Sequence, residues 1–199
     1  EAYQQAVSLT LAGVEVFVGV GGELLGTSPA SYAVDAGTLG FSGSLETMSV
    51  VAIKATQGNN GGLTPDLTDD VDYLGVSISD LEADLLGFGA LLEFHAWDVN
   101  VKLNKATDAL GAPSDKLDWA TLDLTSDSLA IASLPIAHTL DLHADGNAAF
   151  DALSGTLVGV ATGTTLPTVQ PGFSLDIGQV STATPSNGVS FTDADAVSL

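Results

Sequence analysis

Four aspartates, Asp66, Asp69, Asp70 and Asp72, follow Pro65 in one predicted loop. Carboxylates converging from a loop can chelate Ca²⁺, a hard cation that takes about six to eight oxygens. The spacing is not that of an EF-hand, and a solvated, charged loop accounts for the same residues. The four are retained as the candidate metal ligands and Ca²⁺ as the candidate cofactor. Asp193 and Asp195 stand two apart, so on a strand both would point to one face. There they could share a cation with a neighbouring subunit's carboxylate.

His138 and His143 flank Asp141. Their odd separation would put them on opposite faces of a strand, and His95 lies far away in sequence. A catalytic zinc needs three converging protein ligands, so partly buried strand histidines are the better account. The chain has no G-x-S-x-G nucleophile elbow and no G-x-x-x-x-G-K phosphate loop. Carboxylate pairs of the kind used in glycoside hydrolysis arise by chance among 25 acidic residues. Trp97 and Trp119 are the aromatic residues to examine for sugar stacking. Trp97 sits where the apolar parity switches, from Phe88, Leu92 and Phe94 to Val99, Val101 and Leu103, which predicts a β-bulge. Trp119 reads as a core anchor.

Composition limits what such residues could serve. With 25 acids against four lysines and no arginine, the formal net charge is −21. That field opposes nucleic acid, whose phosphates must be neutralised by cations, and anionic membrane surfaces. No apolar run is long enough to be a spanning helix, so membrane insertion is not expected. The absence of cysteine rules out disulfides and thiol chemistry. Hydrophobic residues make up 45% of the 199 residues, enough to bury a core. The N-terminal EAYQQAVSL lacks the basic region of a signal peptide, as would a mature secreted chain.

The elements that would position these side chains are strands. Residues 9–20 alternate, but with apolar residues on both parities, which predicts a strand covered on both sides or lying at an interface. Further strands are expected at 38–45, 48–55, 72–79, 98–104, 120–131, 136–144, 153–162, 173–177 and 189–192. Residues 58–62, 111–115, 167–172 and 185–188 supply turn chemistry. One stretch dissents, because Ile78, Leu81, Leu85, Phe88 and Leu92 recur at spacings of three and four. That stripe allows a short helix at 79–86. Gly87 and Gly89 each disfavour helix by about 1 kcal/mol, so a strand is expected beyond it. The expected fold is all-β: an antiparallel sandwich, barrel or solenoid-like sheet stack with at most one or two short helices. It forms a single module over residues 1–199, with a possible subdivision near 106–116.

Ala6-Val7-Ser8-Leu9 recurs as Ala196-Val197-Ser198-Leu199, an offset of 196 − 6 = 190 residues. This predicts a repeat unit of that period. Three stretches also carry a resemblance: 9–22 (LTLAGVEVFVGVGG), 99–108 (VNVKLNKATD) and 116–122 (KLDWATL). Together they resemble the tandem β-rich modules of very large, repetitive, secreted bacterial surface proteins, over the span from Leu9 to about Ala161. The resemblance implies an extracellular or cell-surface structural repeat and brings no catalytic residues. The glycine-aspartate nonapeptides of calcium-binding β-rolls are absent from this chain.

The sequence thus leads to a non-enzymatic structural or assembly module whose partners are copies of itself or adjacent modules, associating through terminal strands. An adhesin-like module recognising glycan or another surface is the alternative. An all-β polysaccharide-active enzyme stands third.

Overall fold

A computed structural model describes residues 4–56, 70–122, 131, 133–152, 156–159, 172–181 and 192–199. The strands are β1 (Gln4–Val20), β2 (Glu23–Leu25), β3 (Ala33–Asp35), β4 (Leu39–Thr56), β5 (Asp70–Leu86), β6 (Leu92–Asp108), β7 (Leu140–Ala152), β8 (Thr156–Gly159), β9 (Gly172–Val180) and β10 (Ala194–Ser198). Helical structure among the described residues is confined to two 3₁₀ turns, Pro29–Ser31 and Gly89–Leu91. The fold is therefore all-β and antiparallel, as the alternation predicted.

Eight strands form one antiparallel sheet in the order β1-β4-β5-β6-β7-β9-β10, with β8 beside the far half of β7. β1 and β10 are its two edges, so the described sheet is open. β2 and β3 make a separate hairpin, tied back where Glu15 Oε2 accepts a hydrogen bond from the Val34 N–H at 3.1 Å.

Four of the strands run for 17 or 18 residues, and several depart from strict period two along the way. β1 carries Gly13 at φ +61°, β5 carries Asp80 at φ +48° and β6 carries Asp98 at φ +54°. The ladder shifts register between Ile78 and Leu81, and again between Trp97 and Asn100. Each irregularity adds one residue, after which the same face is supplied by the other parity.

This corrects two expectations. Residues 9–20 do not form a strand covered on both sides. Leu9 and Leu11 precede Gly13, Val14, Val16 and Val18 follow it, and the register places all five on one face. Nor is 79–86 a helix. It belongs to β5, and the helix-like spacing of three from Ile78 to Leu81 is the extra residue at Asp80. The bulge expected near Trp97 is present.

Residues 38–45 and 48–55 are parts of the single strand β4. Of the strand expected at 120–131, the described ends lie in no strand, and 123–130 fall outside the described residues. Residues 136–139 precede β7 as irregular chain. The turns at 58–62 and 185–188 also lie outside. The turn at 111–115 is present, with Asp108 Oδ1 accepting the N–H groups of Leu110 and Ala112 at 2.9 and 2.8 Å.

The core is small and one-sided. Val51 and Ile53 of β4 are covered by Trp119, Leu134 and Ile136 from the irregular chain between β6 and β7. Gly75 lies beneath this plug, where a Cβ would stand 2.6 Å from Leu134 and 2.8 Å from Trp119. Only glycine leaves room for the indole.

Candidate assembly surfaces

The two copies of Ala-Val-Ser-Leu lie at the two edges of the sheet. The first falls within β1, and the second is in β10 apart from its last residue, Leu199. Six successive antiparallel pairings separate the two strands, so they run in the same direction. One cross-strand row links them: Leu9, Val50, Val76, Leu103, Leu142, Ile177 and Val197 are partners in turn. Directly opposed residues share a face, and Val7 shares the parity of Leu9. Val7 and Val197 therefore project to the same face from parallel strands. For L-residues, direction and face together fix the side to which each N–H points. The two tetrapeptides are thus equivalent in direction, face and hydrogen-bonding phase.

β1 lacks the features that usually blunt an edge strand. Natural edge strands are blunted by lysine, proline or shortness. β1 is 17 residues long, has no lysine or proline, and carries one charge, Glu15. Among the described residues its outer edge meets no other strand of the sheet.

The sheet's faces differ in chemistry. The row above continues into Leu11, Met48, Ile78, Val101, Ala144 and Leu175, then into Val14, Leu45, Leu81 and Val99. This face is apolar until it reaches Lys54, Asp72 and Lys105 at one end. The opposite face carries Thr10, Ser49, Ser77, Lys102, His143, Asp176 and Ser198 in a corresponding row. Thr47 Oγ1 and Ser79 Oγ meet there at 2.6 Å. The β2–β3 hairpin and the Trp119 plug both lie on this second face.

Asn104 holds the plug. It is buried, accepts the Trp119 Nε1–H at 2.9 Å, and donates from Nδ2 to the carbonyls of Leu117 and Ala137 at 2.9 and 3.0 Å. Both ends of the side-chain amide are thereby satisfied. Trp119 is 2% exposed, so it is the core anchor the sequence suggested and is not available for stacking on a sugar. The Asn of VNVKLNKATD and the Trp of KLDWATL, two of the stretches that carry the resemblance, are one physical unit.

Of the proposed metal ligands, Asp66 and Asp69 lie outside the described residues. Asp70 and Asp72 sit on one side of β5. Asp70 is 2% exposed and faces Lys54, whose Nζ lies 3.0 Å from Oδ2. The approach is close in distance but off the hydrogen-bonding direction, so both Asp70 oxygens lack a hydrogen bond among the described residues. The pairing is one of charge. Contact with Asp70 and its charge, with Asp72 further off, hold the Lys54 ammonium above its ordinary value. Lysine thus occupies the cationic position beside these two aspartates. Among the described residues no three acids or histidines are disposed to hold a metal.

Asp193 precedes β10 at φ +49°, its N–H bound to Ser181 Oγ at 2.8 Å, while Asp195 is exposed on β10.

The histidines do not converge. His138 is exposed, precedes β7, and lies 3.4 Å from Asp118; it is not the partly buried strand histidine expected. Burial alone would raise the Asp118 carboxyl, but bonds from His138, Thr121 and Ala120 hold it below its ordinary value. His143, on β7, bridges Asp176 of β9 at 2.6 Å and Asp145 at 2.7 Å. It links two strands. His95 pairs with Asp84 at 2.6 Å.

Glu46 lies opposite Asp80 where the strands are bulged. The hydrogen bond and charge of Asp80, with a little burial, raise its pKa above the usual 4.5.

Comparison with known proteins finds no matching family model, no matching curated protein and no matching solved structure.

Proposed function

We propose that this chain is an extracellular structural module that extends a β-sheet edge to edge with adjacent modules or further copies of itself. One observation carries the reading: the repeated Ala-Val-Ser-Leu stands on both edge strands, in the same direction and on the same face. A repeat period of 190 residues maps β10, residues 194–198, onto residues 4–8 of β1. β10 then serves as the opening of the next unit's β1, and the next β4 adds to its free side. The sheet grows by six path strands per unit, with no new type of contact. The long, nearly uncharged β1 supports the same reading, since such an edge templates pairing. So does the resemblance to repetitive secreted surface modules.

The test is electron microscopy of a four-unit tandem in which each junction merges residues 196–199 of one unit with 6–9 of the next. The expected result is a ribbon that lengthens by about 29 Å per unit, six strands at about 4.8 Å. Separate globules at irregular spacing would overturn the reading.

A further inference from the structure

The apolar face offers a second surface, independent of the edges, and its relief is corrugated. Val18, Phe41, Leu85, Phe94 and Phe150 are partners in turn and form a bulky ridge. The next row on the same face is Val16, Gly43, Ala83, Ala96 and Ala148, a trough of small residues. Large apolar side chains stand exposed here, Val18 at 69% and Phe41 at 53%. These two rows carry no charged residue; the charged groups of this face, Lys54, Asp72 and Lys105, stand at its far end, and the two covering excursions described above belong to the opposite face.

We infer that a second copy of this chain docks on the apolar face, its ridge seated in this trough and its trough receiving this ridge. A two-fold axis parallel to the rows and midway between ridge and trough exchanges them, so the surface is complementary to itself. Sheets packed in this way lie about 10 Å apart with side chains interdigitated.

Size supports this occupant. Five strands about 4.8 Å apart and four rows about 6.6 Å apart outline roughly 600 Å² of flat area per copy. The corrugation adds to this, towards the roughly 800 Å² per partner of a standard interface. Charge supports it too, because the ridge and trough rows carry no acid and the acids of this face are confined to its far end beside Lys54 and Lys105. A lipid surface fits less well. Among the described residues the sheet is open, and unpaired backbone at its edges is not tolerated in hydrocarbon. Apolar strands reaching from Val7 to Val20 span about 43 Å, against an apolar band of about 25 Å in outer-membrane barrels.

The experiment is sedimentation equilibrium of the single chain in about 0.15 M salt, where the Debye length is about 8 Å, with a flotation assay on phosphatidylcholine vesicles. The wild type is expected to be a dimer. Phe41→Glu is expected to weaken dimerisation at least 100-fold without changing the circular dichroism spectrum. Val18→Glu, on an exposed edge-strand position, gives the same reading should Phe41→Glu fail to fold. Ser42→Glu, on the opposite face, should leave the dimer intact. A wild type that stays monomeric, a dimer indifferent to the face variants, or flotation with the vesicles overturns the inference. The dimer requires no edge pairing, so its failure and that of the tandem ribbon are separately readable.

Discussion

At the scale of single residues the fold turns on Asn104. Its amide satisfies the indole N–H and two carbonyls in the buried plug, and each group left without a partner costs about 1–3 kcal/mol. Asn104→Ala is therefore expected to destabilise the chain by about 2–4 kcal/mol, allowing for non-additivity among neighbours. Urea denaturation reads the loss, and tryptophan fluorescence should shift to the red as Trp119 is hydrated. A change under about 1 kcal/mol would show that the plug is held by packing alone. Trp119 was legible as an anchor because a tryptophan ahead of an apolar run is costly to expose. Asn104 was not, because on a strand a buried asparagine and a solvated one occupy the same place in the alternation. The candidate Ca²⁺ ligands show the same limit. Four clustered aspartates look alike in sequence whether they meet a cation or, as Asp70 does, a lysine from the neighbouring strand.

At the scale of elements the bulges decide how much could be read. Period-two reasoning located the interiors of β4, β5, β6 and β9. It misjudged β1 and the far half of β5 because one extra residue moves the apolar set to the other parity. Only near Trp97 were both sides of the switch long enough to expose it. Asp80 shows what such a residue costs. It holds a left-handed conformation that aspartate tolerates better than most, and its charge opposes Glu46. A carboxyl whose folded pKa is raised favours the folded state most below its unfolded value. That contribution is lost as pH rises through the folded value, here from about the usual 4.5 upward. Asp80→Asn keeps the left-handed tolerance and removes the charge. The variant is expected to melt higher than the wild type at pH 7, with the difference shrinking towards pH 4. An equal shift at both pH values would assign the effect to backbone strain instead.

At the scale of the whole molecule, 17- and 18-residue strands form, among the described residues, an open sheet with one largely apolar face in a chain of net charge −21. The all-β class was legible in the sequence through alternation, and the recurrence of Ala-Val-Ser-Leu is itself a fact of the sequence. The placement of that repeat on opposite edges was not legible, because it depends on counting six antiparallel crossings. The apolar face escaped notice for the reason β1 did. The central claim is that β10 and the start of β1 are one strand in successive units. Amide hydrogen exchange across the junction of a two-unit tandem, compared with the single chain, tests it most directly. The account predicts that the junction residues corresponding to 6–9 become protected to the level of central strands such as β5, while the same residues at the free edges of the single chain exchange quickly. Junction amides that exchange as fast as those free edges would contradict it.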